Sequence, residues 1–374
     1  MAERWILQFC HGYYGPFLDV ARQYAALFHG SNYKVLTVYL TGDPHVSVES
    51  ASASDEVRFL GFRSRDIRGL KLGAIRALKR LVATRDFAFI IAHRFKPIYI
   101  SCLATNLPVI GVHHAFGGYE RAPRRWFVNL FRKRLALLGV SDAVRDDMRR
   151  CLPDWPIERI ETLHNRLDVG IARAEVLPRY IARTTLGLPQ EAAVIGNVGR
   201  LHHDKDQATL LRAFAKARPS LGSNTLLVIA GKGPLEKPLR DQAQKLGIAD
   251  DVRFVGQVPD ARRLFAAFDL FVLSSDHEPF GMVLLEAMAA GVPVMATDCG
   301  GAPEVIGRSD CLFPLGNAEE LADRLVAFFS PTNENAKRTI VEDGMDRLER
   351  LFSDDAARQR FFALPMTRHA LRVS

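Results

Sequence analysis

From Trp5 to Leu351 the chain switches repeatedly between two kinds of apolar spacing, and this alternation restricts its fold more than any other feature. Short runs of four to seven mostly apolar residues recur at Trp5–Cys10, Tyr33–Tyr39, Phe87–Ala92, Pro108–Val112 and Arg134–Val140. A second series follows at Ala193–Gly196, Thr225–Ala230, Val252–Val255, Leu270–Leu273 and Val294–Thr297. Segments with helical spacing separate them, among them Leu18–Phe28, Leu70–Thr84, Pro97–Ala104, Asp142–Cys151, Asp206–Ala217, Leu235–Leu246, Ala261–Phe268 and Met282–Ala290, with Ala318–Ser330 and Arg338–Leu351 closing the series. Strands that are apolar throughout are covered on both faces, as in a parallel sheet flanked by helices. In such sheets ligands lie beyond the carboxyl ends of the strands. A polar stretch near Asp168–Arg183 separates the two series, and 374 residues suit two domains at roughly 150 residues each. The expected division is 1–170 and 171–350, with 351–374 as a C-terminal segment. Two such domains facing each other would enclose a central cleft.

Nothing in the composition argues for global disorder or a membrane span, because 48% of residues are hydrophobic, 25% are charged and no apolar run approaches 18 residues. The five cysteines are scattered and read as buried thiols in a reducing compartment. No signal sequence is expected, since Trp5–Cys10 is too short for one, and a cytoplasmic location is the default. The net charge of +8 is concentrated in the first half. One basic cluster runs from Arg63 to Arg85 and another from Arg121 to Arg134. Such a field attracts an anionic partner: nucleic acid, a membrane face or a phosphorylated acceptor.

Chemistry concentrates at Ser274–Glu304, where Glu278 and Glu286 flank the start of an apolar helix. The helix start at Gly281, Met282 and Val283 offers free backbone N–H groups to phosphate or sugar oxygens. Glu278 precedes the helix in a loop and is placed to accept from sugar hydroxyls. Glu286 stands among apolar neighbours, and a buried carboxylate there needs donors such as a ribose diol. After the strand at 193–196, Arg200 and Lys205 bracket a polar loop and can neutralise a diphosphate. His202 and His203 lack a third ligand at a supporting spacing, so no metal site is expected. Gly231 and Gly233 permit a tight turn or a close ligand approach. Glu236 occupies the third glycine position of a dinucleotide fingerprint, which excludes that motif. Val258, in the loop after Val252–Val255, is placed to border a base.

In the first half, His11–Pro16 carries Gly12 and Gly15 ahead of a helix, where backbone amides can approach a ligand. His113 and His114 follow one strand, and His93-Arg94 ends another.

The ordered set Gly199-Arg200…Lys205, Gly231-x-Gly233, Glu278-x7-Glu286 and Gly300-Gly301-x-x-Glu304 resembles the retaining glycosyltransferase family 4, most strongly from Val194 to Val305. The resemblance implies the α/β GT-B architecture of two facing Rossmann-like domains. It implies that Arg200 and Lys205 bind the donor diphosphate and that Glu278 contacts the transferred sugar. It further implies that Glu286 binds the ribose, that Gly281, Met282 and Val283 lie near sugar and phosphate, and that Gly15 faces the diphosphate. The family histidine, six residues after the proline opening its strand, corresponds to His114, with His113 as the fallback. The family's Asn-Gly-hydrophobic-Asp linker reads Asn165-Arg166-Leu167-Asp168 here, a departure that would place a cation near the cleft. The implied chemistry retains the anomeric configuration with a UDP-sugar donor, without an obligatory cofactor or metal, and with the leaving phosphate assisting deprotonation of the acceptor. Family members also return their last helix to the first domain, which implies that 351–374 packs there.

The basic first half is where this family binds acceptors. Its charge, with the compact length, resembles lipopolysaccharide core hexosyltransferases, glucose being the favoured sugar, working on a phosphorylated core at the cytoplasmic face of an anionic inner membrane. Capsular, exopolysaccharide or polyprenyl-linked acceptors are the alternatives. A nucleotide-sugar epimerase or a phosphorylase of the same fold is a further rival, although no site for a lysine-linked cofactor is evident. A basic nucleic-acid- or surface-binding protein is the non-enzymatic reading; nucleic acid is not the expected partner, since no recognised binding module is present.

Overall fold

A computed structural model describes residues 4–373. The chain forms two compact units. One runs as far as Arg166 and takes back the segment from Asp354; the other is Leu167–Ser353.

The first unit holds seven strands: β1 (Arg4–Cys10), β2 (Tyr33–Tyr39), β3 (Glu56–Phe59), β4 (Phe87–His93), β5 (Val109–His113), β6 (Leu135–Gly139) and β7 (Ile160–Thr162). All pair in parallel, in the order β3-β2-β1-β4-β5-β6-β7. β4 is buried at every position, as a central strand covered on both faces must be. The second unit holds β8 (Ala193–Val198), β9 (Thr225–Ala230), β10 (Val252–Gly256), β11 (Leu270–Leu273), β12 (Val294–Thr297) and β13 (Leu312–Phe313). These too are parallel, in the order β10-β9-β8-β11-β12-β13. Both sheets thus have the Rossmann order, with reversals between β1 and β4 and between β8 and β11. Crossovers leave in opposite directions at a reversal, so the strand ends there stay uncovered.

Several sequence expectations are corrected. The polar stretch at 168–183 folds into helices Val169–Glu175 and Arg179–Thr185, the first capped by Asp168 accepting from the Ile171 N–H. The segment expected to be helical at 261–268 is a 3-10 helix, Ala261–Ala267. The helix expected from Arg338 already begins at Glu334. Strands β3, β7 and β13 carry no readable apolar run, because each is short and lies at or near a sheet edge. Cys10, Cys102 and Cys311 are buried thiols, whereas Cys151 and Cys299 are only half-buried.

The largest correction concerns Arg166. It points into the first unit, wholly buried. Its Nε donates to Asp354 Oδ1 at 2.8 Å, its Nη2 donates to the Gln23 carbonyl, and its backbone N–H donates to Gln23 Oε1 at 3.1 Å. The guanidinium lies 5.8 Å from the Tyr24 ring centre. Arg22 adds a second bond to Asp354, at 3.0 Å. Helices Asp354–Ala363 and Pro365–Val373 follow, and Phe361 packs against Phe28 with ring centres 5.7 Å apart. The arginine that replaces the family glycine therefore anchors the returning C-terminal segment.

Breaking a buried ion pair from one side strands the other charge, at about 3–5 kcal/mol. Asp354→Asn should therefore lower stability by about that much, measured by urea unfolding. The double variant Arg166→Met/Asp354→Asn should recover a large part of the loss. Equal stability of the single variant and the wild type would refute the anchor.

Candidate functional site

In the second unit, the loops leaving β8 and β11 meet at the strand-order reversal. After β8 the chain turns through Gly199-Arg200 into a short 3-10 turn, His203–Lys205. After β11 it enters Ser274-Ser275. Ser274 Oγ donates to the Lys205 carbonyl at 2.9 Å, and the Asp276 N–H donates to the Asp204 carbonyl at 3.2 Å. These bonds fix Lys205 Nζ at 2.7 Å from Glu278 Oε2. Ser275 Oγ donates to the same oxygen at 3.3 Å, so neither donor engages Oε1. The pair is largely buried, with Glu278 8% exposed. A lysine ammonium carries three donors, so pairing with Glu278 leaves Lys205 two for a ligand.

The Gly300-Gly301 pair shapes the backbone beneath Glu278. The Gly301 N–H donates to the Glu278 carbonyl at 2.8 Å. Gly300 has φ +59°, and a Cβ there would overlap the Glu278 carbonyl oxygen. Only glycine meets both demands. Helix Met282–Ala289 starts immediately afterwards, with Gly281 at φ +104° before it and no side chain capping it. Its first-turn N–H groups at Met282 and Val283 point out of the helix start, as every such turn requires. Glu286, one turn further on, is half-buried rather than enclosed by apolar neighbours as its sequence context implied.

Arg200 is mostly exposed, with Nη2 2.9 Å from Asp204 Oδ2. Beside it lies a cavity of about 260 Å³ bordered by Gly231, Lys232, Gln257, Val258 and Ala261. Gly231 serves the protein's own packing. Its N–H donates to the Gly256 carbonyl at 2.7 Å, and a Cβ on it would overlap the Gly199 carbonyl. The close approach that the sequence left open is thus made by the β8 loop.

In the first unit the reversal between β1 and β4 gathers histidines. His11 follows β1, His93 ends β4, and His113 and His114 stand at the end of β5. His93 Nδ1 and His114 Nε2 are 3.2 Å apart, with the rings stacked at 5.4 Å. His113 Nε2 lies 2.8 Å from the Tyr119 hydroxyl. Burial pushes His93 and His113 down to about 3, the latter with help from the Arg124 charge, and it holds His114 well below its ordinary value. All three rings are neutral at physiological pH. His114 lines a cavity of about 330 Å³ together with His11, Phe17 and Arg94. Gly15 is exposed on the loop before helix Phe17–Ala26, with φ +58° and no atom within 4 Å of where a Cβ would stand.

Comparisons with known proteins bear on the fold and the family. The family model described as Glycosyltransferase Family 4 matches residues 18–170, and that for Glycosyl transferases group 1 matches residues 179–341. The chain belongs to the family-4 glycosyltransferases. Its two Rossmann-like units are those of the GT-B fold. It aligns end to end with a structure of HepE from Anabaena in complex with UDP-glucose, with TM-score 0.77 and 19% identity over 99% of this chain and 100% of that one. The lipopolysaccharide core biosynthesis glycosyltransferase LpsE of Rhizobium meliloti is 32% identical over 187 residues, 49% of this chain and 53% of that protein. A D-inositol 3-phosphate glycosyltransferase of Saccharomonospora viridis is 38% identical over 204 residues, 50% of this chain and 43% of that one. The chain thus spans about half the length of the curated relatives it matches.

For this family-4 glycosyltransferase, the structure brings Arg200, Lys205, Glu278, Gly281, Met282 and Val283 to one sheet's reversal, and Gly15 and His114 to the other's. Sequence reasoning missed Ser274 and Ser275, although two serines directly after an apolar strand are a usable signal. It also missed Lys232, the cation inside the Gly231-x-Gly233 turn.

Neutral buried histidines make stability pH-dependent in a definite sense. Their folded pKa lies below the unfolded value of about 6.5. Their contribution is complete above that value and is lost as pH falls toward 3, at ~1.4 kcal/mol per pH unit for each ring. Urea unfolding between pH 7 and 5 should show a falling midpoint, and His113→Gln should flatten the slope by one proton. An unchanged slope in that variant would show that His113 is not neutral in the folded protein.

Proposed function

We propose that the chain is a retaining glycosyltransferase that moves a hexose, with glucose favoured, from a UDP-sugar to a lipopolysaccharide core oligosaccharide. The observation that carries this reading is the Lys205–Glu278 pair, held at the strand-order reversal with donors and an acceptor oxygen to spare. In this reading Arg200 and the free Lys205 donors hold the diphosphate, and the first-turn N–H groups of Met282 and Val283 receive phosphate or sugar oxygens beside Gly281. Glu278 Oε1 accepts from hydroxyls of the transferred sugar. Glu286 binds the ribose, and Val258 borders the base in the cavity above Gly231.

The chemistry follows from charge. As the anomeric C–O bond breaks, negative charge develops on the departing diphosphate. In this reading Arg200 and Lys205 supply positive charge to it, and Lys205, held in place by Glu278, needs little reorganisation to do so. Glu278 is committed to Lys205 and Ser275, which suits binding rather than nucleophilic attack. In the first unit, His114 is assigned to a reacting sugar and Gly15 to the diphosphate. The UDP-glucose complex of HepE supports the donor class, and the matched segment of LpsE supports the acceptor class.

Peripheral contact with an anionic membrane is part of the same proposal. No helix among the described residues is long and apolar enough to cross a membrane. Helix Ala122–Leu130 exposes Trp126 and Leu130, 67% and 59% accessible, one turn apart and followed by the exposed Arg132 and Lys133. Apolar anchors beside cations suit an interfacial surface.

Calorimetry with UDP-, GDP- and ADP-sugars should show saturable binding of a UDP-sugar. Glu286→Ala should weaken nucleotide binding at least tenfold without changing the unfolding midpoint, and Glu278→Ala should abolish transfer. No binding of any nucleotide sugar would refute the reading, and unchanged affinity in Glu286→Ala would remove the ribose assignment. Flotation with vesicles containing phosphatidylglycerol should show salt-sensitive binding that Trp126→Ala weakens; binding indifferent to salt would exclude the anionic surface.

A further inference from the structure

The cavity of about 330 Å³ in the first unit has a distinctive charge pattern. Three cations, Arg94, Lys96 and Arg124, line it, and no carboxylate does. No ion pair holds any of the three among the described residues. The Arg94 guanidinium rests 4.9 Å from the Phe17 ring centre, and that of Arg124 rests 4.8 Å from the Phe95 ring centre. Arg124 spends one Nη1 bond on the Gly118 carbonyl at 3.0 Å. Two carboxylates flank the lining residue Gly117 without lining the cavity: Asp147 accepts from the Gly117 N–H at 2.9 Å and from Arg150, and Glu120 lies exposed beside it. Three cations without counter-charges repel one another, and an arrangement of this kind gains most from a bound anion.

Two further observations point the same way. Arg94 adopts φ +73°, a backbone conformation that is strained for a non-glycine residue. It ends β4 at the reversal, and helix Phe95–Ala104 begins at the next residue, adding the positive end of its dipole. The neighbouring His11 responds to this field: burial, then Lys96 and Arg94, depress it to about 4. His114 Nδ1, on the wall of the same cavity, has no hydrogen-bond partner among the described residues.

We propose that this cavity is an acceptor subsite for a phosphoryl group, with Arg94, Lys96 and Arg124 binding the phosphate oxygens and His114 placed beside the sugar that carries it. This rests on the transferase reading above and narrows its acceptor to phosphorylated glycans. A phosphate dianion matches the charge of the three cations better than a carboxylate monoanion does. The two arginines, each resting over an aromatic ring, can offer it forked donors.

The test is calorimetry on the full chain saturated with UDP, titrated with mannose 6-phosphate, mannose or glucuronate. Mannose 6-phosphate should bind at least tenfold more tightly than mannose, with affinity falling steeply between 50 and 300 mM salt (roughly the range in which unburied charges become screened). Lys96→Met and Arg94→Gln should each weaken it about tenfold while UDP affinity and the unfolding midpoint stay unchanged. Equal binding of mannose and its phosphate would overturn the proposal, as would wild-type affinity in both variants. Glucuronate binding as tightly as the phosphate would overturn the phosphoryl assignment. UDP failing to bind while mannose 6-phosphate binding keeps its charge dependence would refute the donor reading and leave this subsite standing.

Discussion

An all-parallel sheet cannot turn its chain back along its own edge. Each strand has to be reached by a crossover, and crossovers of one hand stack helices on one face until the strand order reverses. In both sheets of this protein the reversal falls at the centre, between β1 and β4 and between β8 and β11. The carboxyl ends of those strands are left uncovered. Residues leaving them have backbone groups without sheet partners and side chains without a helix above. Lys205, Glu278 and the helix start at Met282 stand at one reversal; His114, Arg94 and Lys96 stand at the other.

Buried charge is handled in two different ways. Arg166 and Lys205 are both cations removed from most solvent, and both pair with a carboxylate. Arg166 is wholly buried, bonded also to the Gln23 carbonyl and placed over the Tyr24 ring, with its Nη1 enclosed away from any ligand, so its environment is suited to holding structure. Lys205 meets one carboxylate oxygen and retains donors, and Glu278 retains its second oxygen. Incomplete satisfaction inside a preorganised frame is what a ligand site needs. The histidines of the first unit take a third course, giving up their charge altogether because burial, aided by Arg124 at His113 and by the neighbouring histidines and Arg94 at His114, makes the protonated form too costly.

Much of this was legible in the residues. Apolar runs such as Tyr33–Tyr39, Thr225–Ala230 and Leu270–Leu273 coincide with strands, because strands covered on both faces leave no polar alternation to confuse the reading. Glu56–Phe59 and Ile160–Thr162 were not legible. An edge strand draws its stability from a neighbour, and its own sequence is too short and too charged to announce it. The Gly231 and Gly300 positions were visible as glycines, but what approaches them was not. The bodies lying against them are the carbonyls of Gly199 and Glu278, which are distant in sequence.

The sequence by itself determined the parallel α/β class, the two series of strands, and the identity of the residues that follow β8 and β11. Local hydrophobic spacing and residue chemistry are enough for that. Only the tertiary structure decided which charges are neutralised and by whom. It turned Arg166 inward to Asp354, joined Lys205 to Glu278 across 73 positions, left Glu286 half-exposed and gathered around His114 three cations that have no ion-pair partner among the described residues. Such pairings depend on which loops converge at a strand-order reversal, and no local pattern in a chain carries that information.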